Sequence, residues 1–206
     1  MPTLPKSIIW ARSDTPGADH VLFDDRSGLS ARGVAVVAAP LPFSCRYELT
    51  TNEQWEAVRL TVSTEGAGWL RTVRMERALG RWRVSTAEQG DLDRVLRAAG
   101  HPPVGLPGTE EPSRLDPALD VDLGAAPLFN TLPVRRLRLS GRPAGEEHRL
   151  TVAWVRVPGL EVLPVEQTYT VLDAGRVRYR SGSFTTELTV DADGFVLHYP
   201  GLARRA

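Results

Sequence analysis

Apolar and polar residues alternate with a period of two along most of the chain. Val58, Leu60 and Val62 alternate with Arg59, Thr61 and Ser63. Phe184, Thr186, Leu188 and Val190 alternate with Thr185, Glu187 and Thr189, and Phe195, Leu197 and Tyr199 with Val196 and His198. This is the signature of strands buried on one face. Asp191-Ala-Asp-Gly194 separates the last two runs, and its glycine suits the positive φ of a tight hairpin loop. Ala174-Gly175 punctuates the preceding pair in the same way. Short strands with regular turns predict a sandwich, a barrel or a roll. The segment from Leu150 to Val157 is apolar on both faces, with Leu150, Val152 and Trp154 on one and Ala153, Val155 and Val157 on the other. Such a strand is covered on both sides or lines an apolar interior.

Helical signals are few. Asp91 to Ala99 places Leu92, Val95, Leu96 and Ala99 on one side, with Asp91 as N-cap and Gly100 as the residue that ends the helix. Thr51-Asn-Glu-Gln54 matches a capping box and predicts one helical turn before Trp55. Residues 130–138 fit two states. Asn130 and Pro133 suit the first turn of a helix, whereas Val134 to Leu139 also alternates like a strand. Gly100 to Pro117 is rich in Pro and Gly and reads as a mobile loop.

Composition narrows the classes of function. The chain has 206 residues with 42% apolar and 24% charged, enough for a core without staples. Lys plus Arg and Asp plus Glu both number 25, so no net field draws the chain to nucleic acid or anionic membrane. Cys45 is the one cysteine, so no disulfide forms within the chain. The N-terminal stretch holds only Ile8, Ile9 and Trp10 as an apolar run, too short for a secretory signal, and nothing approaches a membrane span. A cytoplasmic protein is the expectation.

No motif announces catalysis. The nucleophile elbow, phosphate loop and dinucleotide glycine pattern are missing, and the four histidines lack metal spacing. Cys45 reads as core packing. Asp120 and Asp122 share a strand face and could meet one cation, but a third ligand is wanting nearby, so a turn or cap role is the better reading. Arg176, Arg178 and Arg180 read as a solvated sheet face whose stems cover apolar surface. Arg135 and Arg136 fit either a structural pairing with Asp120 or Asp122 or contact with a ligand headgroup. Asn130, Gln167, Tyr169 and Tyr199 are candidates for a sugar or lipid pocket, with ordinary barrel packing as the alternative. No cofactor or metal is expected.

One ordered set of motifs goes further. Asp120-Val-Asp-Leu123, Pro127-Leu-Phe-Asn-Thr-Leu-Pro133, Val134-Arg-Arg-Leu137, Val155-Arg-Val-Pro158, Gln167-Thr-Tyr169, Val190-Asp-Ala-Asp-Gly-Phe195 and Tyr199-Pro-Gly201 keep their order over about half the chain. In this the chain resembles the bacterial putative glycolipid-binding family, also known as a domain of unknown function. The resemblance implies a mainly β fold: one curved antiparallel sheet, a spiral β-roll, wrapped around one helix. It also implies a homodimer and a shape like that of periplasmic lipoprotein carriers. Residues 88–117 read as an insertion that carries a short extra helix, and residues 1–206 as one domain. The expected function is non-catalytic binding of a lipid or glycolipid in the apolar concave side of the roll. The alternative is a structural or interaction protein with a filled core, acting through a dimer or partner surface.

Overall fold

The computed structural model describes residues 4–24 and 29–206, so the first three residues of the N-terminal stretch read above lie outside it. The chain begins with seven strands, β1 (Ser7–Arg12), β2 (Gly17–Asp24), β3 (Ser30–Val37), β4 (Phe43–Thr51), β5 (Ala57–Gly66), β6 (Trp69–Ala78) and β7 (Arg81–Gly90). A short helix α1 (Leu92–Ala98) follows, then β8 (Asp120–Leu123) and the helix α2 (Leu128–Arg136). Six further strands complete the chain: β9 (Glu147–Val155), β10 (Val162–Asp173), β11 (Arg176–Ser181), β12 (Phe184–Val190), β13 (Val196–Tyr199) and β14 (Ala203–Arg205).

These strands form one sheet in the order β7-β6-β5-β4-β3-β2-β1-β14-β13-β12-β11-β10-β9-β8. It is two meanders sewn together at the two ends of the chain, where Trp10 of β1 faces Arg205 of β14. Every pairing is antiparallel except that of β8 with β9, because the polypeptide crosses over through α2 between them. Asp191 closes the β12–β13 hairpin by accepting from the N–H groups of Asp193 and Phe195. Gly194 there has φ +82°, and an added Cβ would meet the Arg135 side chain at 3.1 Å.

Alternation puts one face inside. Ile8, Trp10, Val21, Ala31, Tyr47, Leu49, Leu60, Val62, Val73 and Met75 are buried from β1 to β6, while their neighbours in sequence face solvent. A single sheet has no second layer, so it curls. The N–H of Ala57 donates to the carbonyl of Leu119 at 2.8 Å, which brings the start of β8 against the start of β5. Over the intervening β14, the Trp10 indole N–H donates to the Val196 carbonyl of β13 at 2.8 Å. Enclosed by the curl lies α2, whose residues from Leu128 to Val134 are all buried. It contacts strands from both meanders: Phe129 meets Tyr47 edge-on with ring centres 5.3 Å apart, and the Val196 N–H donates to Thr131. The fold is therefore the curved sheet around one helix that the resemblance implies, with a short extra helix after β7. Residues 128–136 settle as helix.

One local expectation is corrected, and the predicted loop is found to be anchored. Residues 51–54 do not form a helical turn. Thr51 ends β4 and its hydroxyl accepts from the N–H of Leu29, while Asn52 closes a tight turn by accepting from Gln54 and Glu56. Residues 100–117 are held in place. The Asp93 carboxylate accepts from the N–H groups of Val104 and Gly105, and Gly108 exchanges hydrogen bonds with Leu160 and Val162. Leu115 is fully buried, and the Trp82 indole N–H donates to the Ala118 carbonyl at 3.0 Å. The clamp on this segment is Arg71, itself 1% exposed. It pairs with Glu88 at 2.8 Å and donates to the carbonyls of Gly105 and Gly159. Among the described residues no helix is long and apolar enough to cross a membrane.

Replacing Arg71 with Ala leaves two carbonyls and Glu88 without their donor, so stability should fall by about 3 kcal/mol or more. Urea unfolding measures the loss. Limited proteolysis of the variant should cut first between residues 100 and 111, and a cleavage pattern unchanged from the parent would show that Arg71 does not hold this segment.

Candidate functional site

Asp120 and Asp122 point from the same face of β8, two residues apart, and both are buried. Their environments differ. Asp120 is gripped by Arg136 at the last turn of α2, whose Nη2 lies 2.6 Å and Nε 3.1 Å from the carboxylate. Burial pushes the Asp120 carboxyl up, and the Arg136 pairing pulls it back. Asp122 has no salt bridge among the described residues. Its Oδ2 accepts from the Gln167 side-chain amide at 2.6 Å. Burial raises its carboxyl from the ordinary 3.8 to about 6, against the lowering effect of Gln167 and the Leu123 backbone.

Behind Gln167 stands a chain of donors with one direction. Asn130 donates through Nδ2 to the Tyr169 hydroxyl at 2.9 Å, and that hydroxyl donates to Gln167 Oε1 at 3.2 Å. Gln167 then passes its own N–H to Asp122. Three elements, α2, β10 and β8, fix this relay, and a buried polar network holds geometry only when each member is satisfied.

Asp122 and Asn130 open on a cleft of about 280 Å³. Its other walls are the Gly124-Ala125-Ala126 turn, Trp154 of β9, Tyr179 and Ser181 of β11, Phe184 at the start of β12, Tyr199 of β13 and Leu202. Tyr179, Phe184 and Tyr199 form a triad of rings with centres 6.2–6.3 Å apart. Phe184 is 48% exposed, unusual for a large apolar side chain, and marks the open side of this wall. At the turn, Ala125 holds φ +67°, and Arg12 of β1 donates to its carbonyl at 3.3 Å. A non-glycine residue in that region carries strain, a feature that gathers at binding sites.

The sequence-predicted residues separate into three groups. Asn130 and Tyr199 line the cleft. Gln167 and Tyr169 stand behind it and orient Asp122. Arg135 and Arg136 lie elsewhere. Arg136 takes the structural reading with Asp120. Arg135 stacks over Trp55, 4.1 Å from the ring centre, and over Phe195, and donates to the Asp193 carbonyl. Tyr179, Phe184, Trp154 and Ser181 escaped the sequence reading, since only the curl brings β9, β11, β12 and β13 around one space. The signal for Trp154 was present in the strand with two apolar faces.

The other chemical candidates are committed to structure. Cys45 is 3% exposed, and burial with Asp19 nearby pushes its thiol up to about 12. Among the described residues no group of three or more His, Cys, Asp or Glu is placed to hold a metal ion. Arg176 and Arg178 pair with Asp173 and Glu187 on the exposed face. The concave side that the sequence offers to a ligand is occupied by α2.

Asp122 should cost the fold stability above pH 6. With its pKa raised, the folded state binds more protons than the unfolded state between 3.8 and about 6, so stability falls as pH rises through that window. The Asp122→Asn variant should exceed the parent by up to about 3 kcal/mol at neutral pH, at ~1.36 kcal/mol per unit, and the gain should vanish near pH 4. Urea unfolding across that range decides it; a gain independent of pH would show that Asp122 is not the titrating group.

A family model described as putative glycolipid-binding matches residues 7–205. A crystal structure of a DUF1089 family protein from Pseudomonas aeruginosa has a similar fold, with a TM-score of 0.71, 24% identity and 95% of each chain covered. A search of curated proteins found no match.

Proposed function

The chain belongs to the putative glycolipid-binding family, and from that premise we propose that it binds a glycolipid headgroup, without catalysis, in the cleft between Asp122 and the aromatic triad. The single observation that carries the reading is the composition of that cleft. Aromatic rings from β9, β11, β12 and β13 face Asp122 and Asn130 across a space at the small end of ligand sites. A sugar ring presents C–H groups on its faces and hydroxyls at its edge. Trp154, Tyr179 and Tyr199 suit the faces, and a carboxylate and an amide suit the edge. The volume admits a headgroup and not a whole lipid. Because α2 fills the concave interior, the acyl part runs out past the exposed Phe184 instead of entering the roll. The reading is of a binder: the buried Cys45 thiol is a poor nucleophile, and the cleft residues hold one another in a fixed relay.

Isothermal titration with octyl glucoside below its micellar concentration tests the reading. Trp154→Ala and Tyr199→Ala should each weaken binding about tenfold or more, the equivalent of ~1.4 kcal/mol. Arg135→Ala should leave affinity unchanged, since that side chain lies outside the cleft. Absence of binding to any alkyl glycoside would sink the proposal.

A second reading has its own observation. Ile9, Leu22, Val34 and Val36 are 43–53% exposed on neighbouring strands β1, β2 and β3, an apolar stripe on the outer face of the sheet. Such a stripe suits a second copy of the chain or another protein. Under this reading the chain sediments as a dimer, and Leu22→Lys with Val34→Lys returns it to a monomer; a monomeric parent at micromolar concentration would remove the dimer.

A further inference from the structure

Within the proposed headgroup cleft, Asp122 lacks the partner that other buried acids have. Asp120 has Arg136. Asp19 has the Tyr47 hydroxyl at 3.0 Å and the field of Arg12. Asp122 has one neutral amide and the backbone. The relay from Asn130 through Tyr169 and Gln167 brings only neutral donors to it. No Lys, Arg or His lines the cleft. Arg12 reaches its rim only through the Ala125 carbonyl and is paired with Asp14. The other titratable groups around Asp122 are Tyr169 of β10, Tyr179 of β11 and Tyr199 of β13, all kept neutral by burial. A buried carboxylate without a cation is expensive, and one that lines a cleft is a candidate functional group. The walls agree. Ring faces attract a positive charge, and Tyr179 and Tyr199 meet Trp154 in this one space, with Arg156 already 5.6 Å from the centre of the Trp154 ring.

We propose that the cleft seats a positively charged amine, the ammonium of an amino-sugar headgroup, against Asp122 and along the rings of Trp154, Tyr179 and Tyr199. This rests on the headgroup reading above and narrows it. An ammonium supplies donors to a carboxylate that only accepts, and its charge lies where the ring faces favour it. An anionic headgroup is repelled from the same position.

The test compares four probes at neutral pH by isothermal titration: glucose, octyl glucoside, and each with its primary hydroxyl replaced by an amine. The octyl aminoglycoside should bind at least about tenfold more tightly than octyl glucoside, ~1.4 kcal/mol. Asp122→Asn, checked for folding by circular dichroism, should bring the ratio of amine to neutral-glycoside affinity down to about one, whatever it does to the neutral glycoside itself; a ratio of about tenfold kept in this variant overturns the role of Asp122. Equal or weaker binding of the amine by the unmodified protein overturns the proposal, and this comparison needs no variant. The chain-free sugars separate the two ideas. If the octyl chain adds nothing but the amine preference remains, the amine site stands as one for a soluble ligand and the glycolipid reading falls. If octyl glucoside binds and the amine gives no advantage, the glycolipid reading stands and the amine site falls. Failure of all four probes to bind overturns both.

Discussion

One sheet cannot bury its own inner face, and this constraint governs the molecule. Fourteen strands in two meanders present a continuous apolar surface with no second sheet opposite. The surface is removed from water by curling it around a filler of nine residues, α2. The filler is buried on every side from Leu128 to Val134, and its buried polar members, Asn130 and Thr131, are hydrogen-bonded to Tyr169 and Val196. Leu128, Phe129 and Leu132 meet the general core, and Val134 meets the smaller cluster of Tyr169, Val171, Val177 and Leu188. The helix is thus where the two meanders become one body. The cleft lined by Asp122 and Asn130 lies at the N-terminal end of α2, beside the turn of residues 124–126.

The fold was largely legible because strands advertise themselves. The period of two in Val58 to Val62 and in Phe184 to Val190 became β5 and β12, and the Asp191–Gly194 hairpin formed where its turn residues predicted. The helix at 128–136 was not legible by periodicity. A helix buried on every side from Leu128 to Val134 has no solvent-facing stripe, so its sequence lacks the pattern that marks amphipathic helices, and Asn130 is spent on Tyr169 rather than on a cap. Thr51 misled for a related reason. Capping residues are also strand-end and turn residues, and here the Leu29 N–H from β3's side claimed its hydroxyl first. The loop at 100–117 looked free because its anchors, Arg71 and Asp93, belong to other segments.

Half of the candidate site was visible for a different reason. Asn130, Gln167, Tyr169 and Tyr199 stand out as polar or amphipathic residues inside apolar runs, and three of them turned out to share one hydrogen-bonded relay. Trp154, Tyr179 and Phe184 blend into ordinary strands until curvature gathers them. Arg135 and Arg136 drew attention by charge, yet charge at the end of a buried helix has a structural use. Cations there complement the helix dipole, and the two arginines close the far end of α2 against Asp120 and Asp193.

The pairing of α2 with β8 also explains why two aspartates two residues apart have unlike fates. Along the strand Asp120 and Asp122 are separated by roughly 7 Å, and along the helix Asn130 and Arg136 by roughly 9 Å. The helix therefore reaches Asp120 with its cationic last turn and brings its neutral first turn to the cleft that Asp122 lines. A cation at position 130 in place of Asn130 would break the donor to Tyr169 and fill the cleft. The dipole of α2 offers Asp122 a partial positive field from its N-terminal end, but burial still wins, since the carboxyl is driven up to about 6. An arrangement that gives one acid a cation and its neighbour only a neutral amide, in a cleft walled by aromatic rings, is not accounted for by stability, and the unlike treatment of the two acids is what the proposed cation site rests on.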